Sequence, residues 1–376
     1  MDPCIALLRD LVAIDSVNPT LVPGAAGEQQ IAAAIAAHLR RIGLDVSIEE
    51  VAPGRPNVVG VLEGRARGRS LIFCGHTDTV GVAGMRDPFT PVERGGRLYG
   101  RGSQDMKGGV AAMIDATRVL AERGLERGRV IVAAVVDEEH SSIGADALVK
   151  TWRADGAIVT EPTDLAIAIA HKGFAWVKVD VHGRAAHGSR PREGQDAILR
   201  LGRVLVRLEA LDAELQRRPP HPLAGTGSLH ASLVEGGREL SSYPDFAALH
   251  MERRLRPGEA ESAAIEEVEA IVEDLVRSDT TFRADATAMF SRPAYELPAE
   301  HDLPVTLSAA LAANGSVPRL IGASFWADSA VLGAAGIPSV LFGPGGAGLH
   351  SAEEYVIVEE VLRCRDVLAE AATRFC

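Results

Sequence analysis

The chain has 376 residues, 47 % of them hydrophobic, and a net charge of −12. This length exceeds one simple core, so we expect two domains. The negative charge argues against nucleic acid or an anionic membrane as partner, and no apolar run approaches the roughly 20 residues of a membrane span. Four scattered cysteines form neither a C-x-x-C pair nor a disulfide framework, and the first residues lack a signal-peptide pattern. We therefore expect a soluble protein of the reducing cytoplasm.

The N-terminal quarter predicts alternating helices and strands. Asp2-Pro3 is typical of a helix start, and a second apolar stripe runs from Glu28 to Ile42 before Gly43. Strands follow near residues 45–51 and 57–62. This alternation continues along the chain and indicates a parallel sheet with helices on both faces.

Three apolar runs in the sequence stop at residues that can bind a metal. The runs end at His76, at Asp137-Glu138-Glu139 and at Glu161. Because the strands of a parallel sheet present their carboxyl ends at one edge, we expect these side chains to converge. Asp78 lies two residues after His76, and a carboxylate beside a ligating histidine usually orients its ring.

Two further candidates lie in glycine-rich segments. Asp105 sits in a bend just before a helix that runs from Val110 to about Gly124. His350 follows a buried-type strand at 338–342 and the loop Gly343–Gly346. A last helix is predicted at about residues 359–374.

Residues from about 173 to 290 have a different pattern of apolar and polar residues. A half-exposed strand, a helix, two strands, a second helix and a last strand follow in the order βαββαβ, which is the ferredoxin-like arrangement. The helical stripes are predicted from Ile198, Leu201, Leu205 and Leu208 in the first helix and from Ile265, Val268, Val272 and Leu275 in the second. Since the pattern of the N-terminal part returns after residue 290, we expect an inserted α+β domain.

The polar residues predict a centre for two cations. Asp105 could bridge the ions, with His76 and Glu161 completing one of them and Glu139 and His350 completing the other. Nitrogen and oxygen ligands without thiolate suit Zn²⁺, with Co²⁺ or Mn²⁺ as alternatives, and two such ions activate a water. Glu138, the spare carboxylate, could accept a proton from that water and give it to a leaving amine.

Each pattern also has a purely structural interpretation. His76 and Asp78 could form a hydrogen-bonded pair in a turn, and an acidic run such as residues 137–139 is usually a solvated strand end. The convergence of several such segments favours the metal site. His140 abuts Glu139, and we expect it to be structural or exposed. The same expectation holds for His171, His182, His221, His230, His250 and His301.

The chain resembles the acetylornithine deacetylase and succinyl-diaminopimelate desuccinylase family, which also contains bacterial carboxypeptidases and aminoacylases. The resemblance rests on Gly75-His76-Thr77-Asp78, Gly100-Arg101-Gly102, Asp105-Met106-Lys107-Gly108, Asp137-Glu138-Glu139, Glu161-Pro162-Thr163, His187 with Pro191, and His350 with Glu354. It supports the ligand set above, Glu138 as general base and Asp78 behind His76. It also implies a cis peptide bond after Asp105.

The resemblance implies a zinc-exopeptidase-like α/β catalytic domain with a mostly parallel sheet, formed by residues 1–172 and 291–376. The inserted domain, residues 173–290, would serve for dimerisation and as a lid. His187 would reach the site of the partner subunit and stabilise an oxyanion. Arg254 would bind the substrate carboxylate, with Arg253 and Arg256 as alternatives. The Gly343–Gly346 loop, with Gly345, would offer backbone groups near the substrate.

Three positions depart from the family's pattern: Ser141, Gly188 and Ser241. None of them is an expected ligand. Ser241 stands where the family often has an asparagine, and a serine cannot reproduce the donor and acceptor pair of an amide.

Together these features predict a homodimeric di-zinc hydrolase that removes an acyl group from an N-acyl amino acid. The alternative enzymatic function is that of a carboxypeptidase or dipeptidase that uses the same metals on small peptides. A non-catalytic, metal-bearing binding protein is a third interpretation. It expects loss of the base or of a ligand, and this sequence keeps them all.

Overall fold

The computed structural model describes residues 1–82 and 84–376. The N-terminal elements are α1 (Pro3–Val12), α2 (Gln29–Arg41), β1 (Asp45–Ala52), β2 (Arg55–Glu63), β3 (Ala66–His76), β4 (Val92–Arg94), β5 (Arg97–Tyr99), α3 (Gly108–Arg123), β6 (Arg127–Val135), α4 (Ile143–Thr151), β7 (Gly156–Val159) and β8 (Ile167–His171). The middle of the chain forms β9 (Gly173–His182), α5 (Ala197–Arg217), β10 (Ser228–Gly236), β11 (Phe246–Leu255), α6 (Ala263–Ser278), β12 (Arg283–Arg292) and β13 (Tyr295–Glu296). The C-terminal elements are α7 (Asp302–Ala313), β14 (Leu320–Ala323), α8 (Ser329–Ala334), β15 (Ser339–Leu341), β16 (Gly346–Ala347), β17 (Tyr355–Ile357) and α9 (Val358–Phe375).

Backbone contacts divide the chain into two compact units. The first unit comprises Met1–Ile169, Leu297–Ile321 and Ala327–Cys376, and the second comprises Ala170–Glu296 and Gly322–Trp326. The short segment 322–326, which the sequence pattern left in the catalytic part, thus belongs to the second unit. None of the helices in the described part of the chain combines the length and hydropathy that a bilayer span requires.

The main sheet of the first unit has the strand order β1-β2-β6-β3-β7-β15-β8. Its four central strands, from β6 to β15, run parallel, whereas the outer pairs are antiparallel. The α/β class with a parallel sheet at the centre is confirmed. Apolar residues are buried along these strands because helices cover both faces, as in other parallel sheets. The strand β8 and the helices α4 and α7 were not predicted.

Local sequence determines several element ends. Asp2 caps α1, since its carboxylate accepts a hydrogen bond from the backbone N–H of Cys4 at 2.8 Å. In α2 the predicted stripe is correct for Ile31, Ile35 and Leu39, which are fully buried, whereas Ile42 lies at the C-cap and is half-buried.

The second unit contains an antiparallel sheet with the order β10-β11-β9-β12. Together with α5 and α6 this is the predicted ferredoxin-like arrangement. The predicted stripe of α5 was partly wrong. Leu201, Val204 and Leu208 are buried, whereas Ile198 and Leu205 are exposed, because the apolar face of this helix is wider than the stripe that packs on the sheet.

A small antiparallel sheet in the first unit was not predicted. Its order is β16-β17-β5-β4, and it joins the glycine-rich segment around residues 92–99 to the C-terminal segment around residues 346–357. Its strands have two or three residues each, which is too short for a period-2 pattern to be detectable. This sheet brings the segments that carry Asp105 and His350 together.

Candidate metal centre

The carboxyl ends of neighbouring parallel strands carry the predicted side chains. His76 ends β3 and lies in register with Val135 at the end of β6, just before Asp137–Glu139. On the other side of β3 lies β7, which is followed by Glu161. The topology therefore brings the ends of the three predicted apolar runs to one edge of the sheet.

Asp105 reaches this edge from a tight turn at Ser103–Lys107, directly before α3. The Asp105–Met106 peptide bond is cis, as the resemblance implies. Gly109 allows the start of α3 to approach β7, because a Cβ atom there would lie 2.0 Å from the carbonyl oxygen of Thr160. The turn therefore lies close to the residue that precedes Glu161.

The carboxylate of Asp105 lies between two imidazoles. His76 Nε2 is 3.1 Å from Asp105 Oδ1, and His350 Nε2 is 3.3 Å from Asp105 Oδ2. His350 Nε2 is also 3.1 Å from Glu139 Oε2. This is the arrangement expected of a carboxylate that bridges two ions, each with its own histidine.

Glu161 and Glu138 lie on the side of His76. Their carboxylates are 3.8 Å and 3.9 Å from His76 Nε2. Ligand atoms of His76, Glu138 and Glu161 lie within 4.8 Å of one another, as do those of His76, Asp105 and Glu139. Glu138 is therefore close enough to act on a water in this cluster.

The chemistry of the cluster fits divalent cations. Glu139 Oε1 and Glu161 Oε1 are buried and accept no hydrogen bond from any residue that the structure describes. Buried carboxylate oxygens without donors are costly, and several carboxylates within one cluster repel each other. Bound cations would remove both penalties, and imidazole and carboxylate ligands without thiolate suit Zn²⁺, Co²⁺ and Mn²⁺.

Without cations, the titration of these groups reflects burial and mutual repulsion. Burial, together with the charge of Asp105, raises the pKa of Glu139 to about 7. Burial and neighbouring carboxylates also raise the pKa of Glu138 and of Glu161 well above the usual range. Burial opposes ionisation of Asp105, but its hydrogen bonds with the two histidines outweigh this and lower its pKa. Hydrogen bonds to Asp105 and Glu139 raise the pKa of His350 to about 10.

Asp78 holds more of the site than the sequence indicated. His76 Nδ1 lies 3.0 Å from the backbone carbonyl oxygen of Asp78 and 3.5 Å from its carboxylate. That carboxylate accepts hydrogen bonds from the backbone N–H groups of Glu138 at 3.1 Å and Glu139 at 3.2 Å. Asp78 therefore connects the histidine to the segment that carries the predicted base.

Sequence analysis did not single out Asn18, and it noted Glu354 only as part of the resemblance, without a role in the site. Asn18 Nδ2 donates to the carboxylate of Asp78 at 2.8 Å. Glu354, fully buried, accepts hydrogen bonds from the backbone N–H groups of Gly102, Gln104 and Asp105. The available signals were the polar Ser16-Val17-Asn18-Pro19 segment after an apolar helix and the acidic residue four positions after His350.

The other predicted site residues lie in the second unit. His187 is exposed in a loop, with its Nδ1 2.8 Å from Ser189 Oγ. Arg254 on β11 is partly exposed and pairs with Glu252 at 2.6 Å. Arg253, one of the alternatives to Arg254, is fully buried and pairs with glutamates of its own unit. Arg256, the other alternative, is also engaged by a glutamate. All three arginines are thus paired, and Arg254 has the most exposed side chain among them, 32 % against 19 % for Arg256.

Gly345 lies in the first unit, after β15. Its backbone N–H donates to Glu360 Oε2 at 2.7 Å. A Cβ atom at this position would lie 2.1 Å from Asp164 Oδ1, so a larger residue would require the Asp164 side chain to move. Its role in substrate binding stays a prediction.

Known proteins resemble this chain over nearly its whole length. The model of peptidase family M20/M25/M40 matches residues 72–374. An acetylornithine deacetylase of Myxococcus xanthus is 32 % identical over 387 residues, which cover 99 % of this chain and 97 % of that protein. An N-formyl-4-amino-5-aminomethyl-2-methylpyrimidine deformylase of Bacillus subtilis (strain 168) is 28 % identical, over 95 % of this chain and 92 % of its own.

Solved structures show the same fold. An M20 family metallo-carboxypeptidase of Sulfolobus solfataricus, Sso-CP2, superposes with a TM-score of 0.83 at 17 % identity, and the match covers 100 % of this chain and 99 % of that one. The fold that the resemblance implies, a zinc-exopeptidase-like α/β domain, is therefore confirmed.

A metal-dependent hydrolase of amide or peptide bonds is the class that the fold and the clustered ligands define. The chain belongs to peptidase family M20/M25/M40.

Proposed function

We propose that this hydrolase removes the acyl group from an N-acyl amino acid, with two Zn²⁺ ions bound at the cluster and Co²⁺ or Mn²⁺ as alternatives. The observation that carries the proposal is the position of Asp105. One oxygen of its carboxylate faces His76 and the other faces His350, at 3.1 Å and 3.3 Å. A single carboxylate shared in this way suits a pair of neighbouring ions rather than one.

The histidine that each remaining carboxylate approaches indicates which ion it would bind. Glu161 would complete the ion at His76, and Glu139 would complete the ion at His350. Bound ions would polarise the carbonyl group of the substrate and increase the acidity of a water molecule. Asp78, through its contacts with His76 and the Glu138-Glu139 backbone, would keep these ligands in position.

Glu138 is the proposed general base. It adjoins Glu139 in the chain and lies beside His76, and its carboxylate accepts the proton of the attacking water. The same group then donates that proton to the nitrogen of the departing amino acid. Glu138 thereby returns to its ionised form, and no other residue has to store the proton.

Residues of the second unit would complete the site in a homodimer. We propose that His187 of one subunit stabilises the oxyanion formed in the other, and that Arg254 binds the substrate carboxylate through its guanidinium. Dimerisation is supported by β10, an edge strand of its sheet that exposes Leu233 and Val234. Such an edge is prone to pair with a second copy.

The substrate class rests on the relatives. Identity of 32 % over nearly the whole chain favours a deacetylase of an acetylated amino acid such as acetylornithine. A carboxypeptidase or dipeptidase with the same centre is the second candidate, supported by the full-length likeness to the Sulfolobus carboxypeptidase. The same ions and the same base would serve both reactions, so pocket residues determine the choice.

A substrate panel tests the proposal. The zinc-loaded protein is incubated with N-acetyl and N-formyl amino acids, including N-acetylornithine, and with dipeptides, and the released amine is quantified. We expect the highest kcat/KM for an N-acetyl amino acid. A preference for dipeptides would replace the deacylase with the peptidase, and no hydrolysis with two metals bound would favour the binding protein.

Glu138→Gln tests the assignment of the general base, because it keeps the shape of the side chain but removes its basicity. We expect unchanged metal content and a fall in kcat of several orders of magnitude, since general-base catalysis contributes about 10²- to 10⁴-fold. Activity within tenfold of the wild type would show that the base has been misassigned.

A further inference from the structure

Asn18 is buried in the segment between α1 and α2, outside the residues that the family model matches. Its backbone N–H donates to the carbonyl oxygen of Thr79 at 2.9 Å, and the N–H of Thr79 donates to that of Ser16 at 3.0 Å. These two hydrogen bonds hold the segment alongside the residue that follows Asp78. The Asn18 side chain consequently points into the site from a fixed backbone.

The amide of Asn18 makes three hydrogen bonds, which determine its orientation. Its Oδ1 accepts from the backbone N–H of Thr20 at 2.9 Å. Its Nδ2 donates to Asp78 Oδ2 at 2.8 Å and to Asp137 Oδ1 at 3.0 Å. Each hydrogen of the amide group therefore serves a different buried carboxylate.

The two carboxylates joined by Asn18 support the catalytic segment from both sides. Asp78 accepts the backbone N–H groups of Glu138 and Glu139. The carboxylate of Asp137 pairs with Arg55 at 2.8 Å and accepts the hydroxyl of Ser141 at 2.6 Å. Without a shared donor these two buried carboxylates would repel each other. The backbone of Glu138 and Glu139 would then no longer be held in one position.

We infer that Asn18 is a positioning residue for the reaction proposed above: by donating to Asp78 and Asp137 at once, it fixes the backbone of Glu138 and Glu139. The inference rests on the proposed function for its effect on turnover. Asparagine suits the position because it is neutral and supplies two donors from one atom. Aspartate would add a third negative charge, and leucine would leave both carboxylates without this donor.

The test compares Asn18→Leu with Asp115→Leu. Asp115 is also buried in the same unit, but its carboxylate pairs with Arg118 at 2.6 Å and Arg365 at 3.5 Å rather than with the segment that carries Glu138. Both variants lose a buried polar side chain of similar size, so we expect a loss of melting temperature in both. At saturating zinc, we expect kcat of Asn18→Leu to fall by about 10- to 100-fold, as for other residues that orient ligands, with KM within about threefold. We expect kcat of Asp115→Leu to stay within about threefold of the wild type.

A second measurement does not depend on activity. Hydrogen exchange of metal-free protein, followed by mass spectrometry, reports the backbone amides of residues 137–142. We expect these amides to exchange at least about tenfold faster in Asn18→Leu and at the wild-type rate in Asp115→Leu. If Asn18→Leu does not fold, Asn18→Ser, which retains one donor, should give an intermediate effect on exchange and on kcat.

The outcomes separate the inference from the proposed function. A wild-type protein that hydrolyses no amide would refute the proposed function, while faster exchange of residues 137–142 in Asn18→Leu would still support the role of Asn18. An active wild type with unchanged exchange and a kcat within twofold in folded Asn18→Leu would overturn the inference. Equal losses of kcat in the Asn18 and Asp115 variants would also overturn it.

Discussion

Arg101 and Glu354 form a buried ion pair in which Arg101 Nη1 lies 2.6 Å from Glu354 Oε2. The same carboxylate accepts three backbone N–H groups of the turn that carries Asp105. One side chain from the C-terminal segment therefore fixes the position of the proposed bridging ligand.

Replacing Glu354 with glutamine should destabilise this turn. The buried guanidinium of Arg101 would lose its counter-charge, which typically costs about 3–5 kcal/mol, and metal affinity should fall by about 10- to 100-fold. Denaturant unfolding and metal analysis by mass spectrometry measure the two effects. The control is Glu359→Gln, which removes an exposed pair with Arg363 and should change stability by less than about 1 kcal/mol. Equal effects of the two substitutions would contradict the role given to Glu354.

Removing metal should abolish hydrolysis reversibly. Chelation leaves the carboxylates of the cluster without a counter-charge, and the apoprotein should unfold at a lower temperature, because ions that bind only the folded state stabilise it by about 2.7 kcal/mol at a concentration of 100 Kd. Activity assays and calorimetry before and after addition of Zn²⁺ measure this. Full activity in protein shown by mass spectrometry to be metal-free would refute the proposed centre.

A shared site predicts complementation between inactive subunits. Mixing His187→Ala with Glu138→Ala subunits, after dissociation and reassociation, should place one intact site in each mixed dimer and restore roughly a quarter of the wild-type sites. Each variant treated in the same way by itself should stay inactive. If the mixture were no more active than its components, His187 would not act across the dimer.

The exposed strand β10 should carry the dimer contact. Val234→Lys places a charge on this edge, which disfavours pairing with a second copy, so the protein should become monomeric in light scattering after size exclusion. Val317→Lys, at an exposed valine of the first unit, is the matched control and should leave the mass unchanged. An unchanged dimer in both variants would move the interface elsewhere.

His171 should make stability fall in acid. Burial lowers its pKa to about 4, whereas the unfolded value is about 6.5. Between these values the unfolded chain binds a proton that the folded chain does not, so the contribution to stability is complete above pH 6.5 and is lost as the pH falls. The loss between pH 7 and pH 5 is about 2 kcal/mol. His171→Phe retains the ring packing on Tyr295 and Trp326 and should show a smaller difference between these pH values. An identical pH dependence would contradict burial of a neutral imidazole.

Much of the fold was predictable because it depends on patterns local to each element. The apolar runs before His76 and Glu161 are long enough to identify central strands, and the βαββαβ order identified the second unit. The strands β4, β5, β16 and β17 were not predictable, since two or three residues carry no periodicity and their pairing joins segments some 250 residues apart.

The candidate site divides in the same way. Residues such as Glu139 could be found because a ligand must stand at a strand end, whatever surrounds it. The part played by Asn18 could not be found, because its partners lie 60 and 119 residues further along the chain and only the folded backbone aligns them. Supporting contacts of this kind join residues that have no characteristic separation along the chain, so no sequence motif reveals them.

The first unit combines an N-terminal stretch with segments that follow most of the second unit in the chain, which determines when its parts can assemble during synthesis. The second unit is nearly continuous, and its six-element core can close as soon as Arg292 has left the ribosome. The first unit must wait longer, since β7 has no partner on one side until β15 is made and His350 is translated later still. During that interval the nascent chain holds an incomplete set of ligands, so tight ion binding and hydrolytic competence are expected only after the segment with His350 has been synthesised.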